Sequence, residues 1–117
     1  MAAGITLHES VRAADSLAKN GVKVRVIDLY SVKPIDATTL AAAVSATGGR
    51  LVVAEDHWPE GGIGEAVLAA LAGERVAAVR FVHLAPHEMP GSGKPAELLH
   101  AAGIDADCIE QAVRALI

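Results

Sequence analysis

The chain of 117 residues has one cysteine, Cys108, and three aromatic residues, Tyr30, Trp58 and Phe81. A single thiol excludes an intrachain disulfide and a cysteine-rich zinc site. So few rings argue against a deep pocket lined with aromatics. Basic runs are missing as well: ten Lys and Arg stand singly against 14 Asp and Glu, for a net charge of −4. With a pI near 5.6, that balance argues against nucleic acid or an anionic membrane as partner. No apolar run approaches the roughly 20 residues that cross a bilayer. The opening MAAGITLHES lacks the basic-then-apolar order of a secretory signal. The expectation is one cytoplasmic domain, 1–117, large enough for a single core.

What is plentiful is alanine, 24 residues in a chain that is 52% hydrophobic. Small side chains suit helices packed closely together. Along the chain the hydrophobic period switches regularly. Thr6 and Glu9 have the spacing of a capping box, and Leu7, Val11, Ala14 and Ala18 then repeat at helical spacing up to Gly21. Residues 22–28, VKVRVID, alternate as a half-covered strand. Pro34 interrupts, Asp36 caps a second helix, and Gly48 with Gly49 ends it. Residues 51–55, LVVAE, form a short apolar run suited to an inner parallel strand.

A third helix carries Ile63, Val67, Ala70 and Leu71 and stops near Gly73. Residues 76–85 read as another strand, followed by a long loop. Pro95 suits the first turn of a short helix. Asp105 caps a last helix expected to bury Ile109, Val113, Leu116 and Ile117. Strands separated by helices predict a three-layer α/β/α fold with a mainly parallel sheet.

Two loops invite a functional reading. GSGK at 91–94 resembles a phosphate loop, but that motif needs a Gly where Glu88 stands and a Ser or Thr where Pro95 stands. A tight turn feeding a proline-started helix explains it, with Ser92 and Lys94 free to touch a partner. The stretch 55–65 places Gly61, Gly62 and Gly64 between a strand and a helix, yet the third position of a dinucleotide fingerprint is Val67. Its charges also oppose phosphate: Glu55, Asp56, Glu60 and Glu65 face only His57. The carboxylates then complement the helix dipole, and the glycines permit close backbone approach.

Successive residues at a strand end point opposite ways, so Glu55 and Asp56 do not form an acid–base pair on one atom. Trp58 either anchors an interface or closes the core beneath the loop. His83, His87 and Glu88 are the nearest thing to a metal set, short of the usual four ligands. Cys108 reads as an ordinary small buried thiol.

The segments VIDLYSVKPID, VVAEDHWPEGGIGEAV and HEMPGSGKPAELLHAAGIDADCIEQAVRALI resemble the C-terminal domain of transketolase, particularly its animal-like branch. The likeness runs in order from about Gly4 to Ile117. Related folds in 2-oxoacid dehydrogenase β chains and deoxyxylulose-phosphate synthase are less similar in these segments. The resemblance implies ketol transfer between sugar phosphates in the pentose phosphate pathway by a parent enzyme that uses thiamine diphosphate and a divalent metal, magnesium. In that family the cofactor and catalytic histidines lie on upstream domains at a dimer interface.

This piece is therefore expected to be non-catalytic, to bind no cofactor or metal itself, and to help assemble a homodimer with those upstream domains. The residues left for an interface or effector loop are Glu55, Asp56, His57, Trp58, Glu60, Gly61, Gly62, Gly64, Ser92 and Lys94. An alternative is an autonomous module that binds a small anion or nucleotide through either loop; a complete small enzyme is a third.

One departure stands out. The resemblance places a central strand before the first helix, between 22–28 and 51–55, where this sequence has MAAGI. Without it, ladder hydrogen bonds stay open on both neighbours. Either another sequence completes the sheet, or the strands re-pair, or stability is marginal.

Overall fold

The computed structural model describes residues 1–117. Helix α1 (Ile5–Lys19) is followed by α2 (Ala37–Ala46), strand β1 (Arg50–Ala54), helix α3 (Ile63–Gly73), strand β2 (Arg80–Leu84), and helices α4 (Pro95–Ala101) and α5 (Ala106–Leu116). The two strands pair in parallel, from Arg50 opposite Arg80 to Ala54 opposite Leu84. One face of the sheet packs Leu51 and Val53 against Leu40 and Val44 of α2 and Val67 and Leu71 of α3. On the other face Ala54 meets Ala13 of α1 and Ile109 of α5. The architecture is three layers, α/β/α, around a parallel sheet.

Local sequence explains most boundaries. Asp36 accepts a hydrogen bond from the Thr39 amide at 3.0 Å, and Asp105 accepts one from the Cys108 amide at 2.9 Å; both are side-chain N-caps. β2 starts later than the 76–85 expectation because Ala78 adopts φ 56°, a turn conformation outside the extended region.

Three expectations need correction. Thr6 and Glu9 do not form a capping box. The N-cap of α1 is Gly4, without a side-chain bond. The Thr6 hydroxyl donates to the carbonyls of Ala3 (2.9 Å) and Ala54 (2.7 Å). Glu9, 4% exposed, reaches across the chain to accept from the Ala106 amide at 3.0 Å. It therefore satisfies an orphan donor of α5, not of its own helix. In α5, Ile109 is buried but Val113 and Leu116 are half-buried or more open, and Ile117 stands 64% exposed.

The third correction is that residues 22–28 are extended without forming a strand in the sheet. Their neighbour is not β1 but the first residues of the chain. The Ala2 amide donates to the Ile27 carbonyl (3.1 Å) and the Ala2 carbonyl accepts from Leu29 (2.8 Å). On the other side the Met1 carbonyl accepts from Ala54 (3.0 Å) and the Met1 ammonium donates to the Val52 carbonyl (2.7 Å). Ala2 thus makes parallel bridges to both Asp28 and Ala54. Residues 1–3 hold 22–28 and β1 apart, so the two do not re-pair.

Candidate functional site

The stretch 55–65 lies at the C-terminal end of β1, where the chain turns into α3. Burial there falls on one carboxylate. Glu55 is 3% exposed, and its side chain accepts from the amides of Ile63 (2.7 Å) and Gly64 (2.9 Å). His83 of β2 donates to the same group through Nε2, at 2.5 Å. A buried carboxylate needs such partners, since unpaired it is heavily penalised. Here it occupies the site that a bound anion takes at other helix N-termini.

The glycines follow from this arrangement. A Cβ on Gly62 would overlap the Glu55 carboxylate, and one on Gly64 would overlap the His83 ring. Only glycine lets the α3 backbone come that close.

The remaining sequence candidates spread outward. Asp56 and Glu60 are exposed. His57 Nδ1 bonds the carbonyl of its neighbour Trp58 at 2.7 Å. Trp58 is 43% exposed, so it does not close the core. The Gly61 amide donates to Glu65 at 2.8 Å. A shallow pocket lies beside this loop, lined by Ala3, Gly4, Ile5, Glu55, Asp56, His57 and Ile63. Its carboxylates oppose a phosphate. Ser92 and Lys94 sit on a separate exposed loop, where the Lys94 amide donates to Glu97 at 3.1 Å. The two loops are not brought together into one site by any side-chain hydrogen bond or salt bridge.

His83, His87 and Glu88 do not converge, because His83 turns inward to Glu55 while the other two are exposed. A different set does come together. His100 Nδ1, Asp105 and Cys108 place their ligand atoms within 4.8 Å of one another. Spacing alone hid this group, because α4 and α5 must fold back before His100 meets Asp105 at 2.7 Å. Burial, reinforced by the Asp105 carboxylate, pushes the Cys108 thiol up to about 11. For Asp105 burial acts in the opposite direction, and the hydrogen bonds from Cys108 and His100 override it to hold the carboxyl below its ordinary value. Capping and the His100 pair therefore account for the group as it stands.

The comparisons match this frame. The model of the transketolase C-terminal domain covers residues 1–109. The chain belongs to the transketolase C-terminal domain family. It is 51% identical to transketolase-like protein 1 of Bos taurus and 50% identical to transketolase of Homo sapiens, in each case over 98% of this chain. It spans only 19% and 18% of those relatives' lengths. A solved structure described as "Split gene transketolase, inactive beta4 tetramer" superposes with a TM-score of 0.87 at 33% identity, over 97% of this chain and 37% of that one.

The converging group of this domain is a poor match for magnesium. Magnesium takes hard oxygen ligands, whereas the one converging group supplies an imidazole and a thiol with a single carboxylate. The buried carboxylate of the α3 loop is already committed to three donors.

Proposed function

We propose that the chain serves as the non-catalytic C-terminal domain of a transketolase, contributing to assembly of the enzyme while upstream domains hold the cofactor and carry out ketol transfer. The observation that supports this reading most is the closed state of its best candidate site. Glu55, the one deeply buried carboxylate at a strand end, is held by two amides and a histidine, so most of its accepting capacity is spent inside the fold. A general acid or base must instead reach a proton on the substrate. The exposed loop residues Asp56, Trp58, Glu60, Ser92 and Lys94 then belong to contact surfaces with upstream domains or a second subunit. Homodimer formation, the pentose phosphate pathway and a cytoplasmic setting come with the parent enzyme in this reading.

The small-anion module is the weaker reading, because the pocket beside the loop presents Glu55 and Asp56. Mixing the chain with the upstream domains of a transketolase and weighing the products by native mass spectrometry tests the proposal. A stable complex that restores full ketol transfer is the expected result. Free components at micromolar concentration, or turnover by the 117-residue chain alone, would refute it.

A further inference from the structure

His100, Asp105 and Cys108 come from three places in the fold: the last turn of α4, the N-cap of α5 and the first turn of α5. They bring three different donors, an imidazole, a carboxylate and a thiol, within 4.8 Å of one another. A patch of surface acids would offer oxygen alone.

The fold itself sets this meeting. Between α4 and α5 the chain turns through Gly103 at φ 73°. The Gly103 amide donates to the His100 carbonyl (3.0 Å) and the Ile104 amide to the Leu99 carbonyl (3.1 Å). Ile104 then enters the interior, 1% exposed. That anchor orders the short turn from His100 to Asp105, so little chain entropy remains to be lost when a ligand binds. Asp105 and Cys108 are separated by two residues, a spacing that zinc sites use. At i and i+3 their side chains are neighbours on the helix surface.

Helix capping uses only part of the group. Asp105 Oδ1 accepts from the Cys108 amide at 2.9 Å, while Oδ2 lies 2.7 Å from His100 Nδ1. The cap therefore accounts for one oxygen and leaves Oδ2, the imidazole and the thiol available. No Lys or Arg pairs with Asp105; its one ion-pair partner is His100, which is charged only when protonated. The His100 side chain is 66% exposed, so the group is open to solvent on that side.

We propose that this group binds one zinc ion through His100 Nδ1, Asp105 Oδ2 and Cys108 Sγ, with water in the fourth position. The donors select the metal. Thiolate and imidazole suit zinc, whereas magnesium and calcium take oxygen. Zinc lies about 2.0–2.3 Å from such ligands in a tetrahedron, which sets the ligand atoms about 3.5 Å apart. Oδ2 and Nδ1 part slightly and the wider pairs close by on the order of 1 Å, movements within the reach of side-chain rotation.

Protons leave as the metal enters. The Cys108 thiol releases its proton to solvent as the zinc–sulfur bond forms, and the neutral imidazole keeps its hydrogen on the exposed Nε2. The ion then ties the end of α4 to the start of α5. It shares no residue with the 55–65 loop, so the site stands or falls separately from the assembly reading.

The test titrates cobalt(II), then zinc(II), into the reduced, metal-free 117-residue chain. Cobalt should give a thiolate-to-metal charge-transfer band and saturate at one ion per chain. Zinc should displace it with a dissociation constant of about 1 µM or tighter. Cys108→Ser removes the band and weakens zinc by at least about tenfold, and His100→Ala weakens it by a similar factor. Asp105→Asn keeps a side chain that caps the helix, so circular dichroism stays unchanged while zinc affinity falls. His87→Ala, on the separate loop, leaves binding as it is.

Zinc should also raise the thermal midpoint of the parent chain and not that of Cys108→Ser, because only the folded chain brings the three ligands together. A missing charge-transfer band, equal affinity in Cys108→Ser, or a midpoint that zinc does not move overturns the site. So does half an ion per chain, which would mean a metal bridging two copies.

Discussion

β1 borders two regions with opposite character. At its C-terminal end every buried polar group is paired: Glu55 takes three donors, and Gly62 and Gly64 are shaped around it. Along its free edge, toward residues 22–27, amides face a cavity and the Met1 amine sits buried without a carboxylate. The glycine-rich end has the sequence of a functional loop and is a structural clamp. The free edge has the sequence of an ordinary strand and its partner, yet only Met1 and Ala2 join the two. In this transketolase domain the open hydrogen-bonding edge lies where the sheet is interrupted, not where the motif is densest.

The largest effect that would sharpen this contrast is Glu55→Ala. It strands two amides and His83 in a buried site, and should cost about 3–5 kcal/mol of unfolding free energy in urea titrations. A loss below about 1 kcal/mol would mean the clamp is not structural.

Next comes the buried Met1 amine. The folded pKa of Met1 is about 6 against 8.0 when exposed, so between these values the unfolded chain binds more protons and stability rises with pH. The gain from pH 6 to pH 8 should reach about 2 kcal/mol and vanish on N-terminal acetylation. A flat thermal-melt profile across that window would contradict the buried amine.

Gly64→Ala follows, with a cost of about 1–3 kcal/mol from overpacking against His83. Pairing it with His83→Ala should give less than the sum of the two single losses, because the clash disappears with the ring. Additive losses would place the strain elsewhere. Lys94→Ala should be the smallest, within about 0.5 kcal/mol, while weakening assembly with upstream domains if its loop is a contact surface. A large stability loss would show that this loop is part of the fold.

Much of the layered order was legible in the sequence. Asp36 and Asp105 cap the helices they precede, because an N-cap bond needs only three residues of chain. Glu9 shows the limit: its spacing from Thr6 suggests a local box, yet its partner is Ala106, at the far end of the chain. Residues 22–28 show another limit. Their alternation states a preference for a sheet, but a strand exists only when its neighbour does, and here that neighbour amounts to Met1–Ala3.

The candidate site was legible in composition and not in geometry. The glycines and acids of 55–65 announced a crowded turn, while the inward reach of His83 from β2 depends on a register that no local pattern contains. The resemblance located the gap in the sheet between 22–28 and β1, and that is where Ala2 bridges both.

The measurement that tests the contrast most directly is residue-resolved amide hydrogen exchange on the 117-residue chain alone. Leu51 and Val53, which face β2, should exchange as slowly as global unfolding allows, while Arg25 and Ile27 exchange by local opening, at least about a hundredfold faster. Equal protection of the two edges would contradict the account, since it would mean the edge facing residues 22–27 is as closed as the edge facing β2.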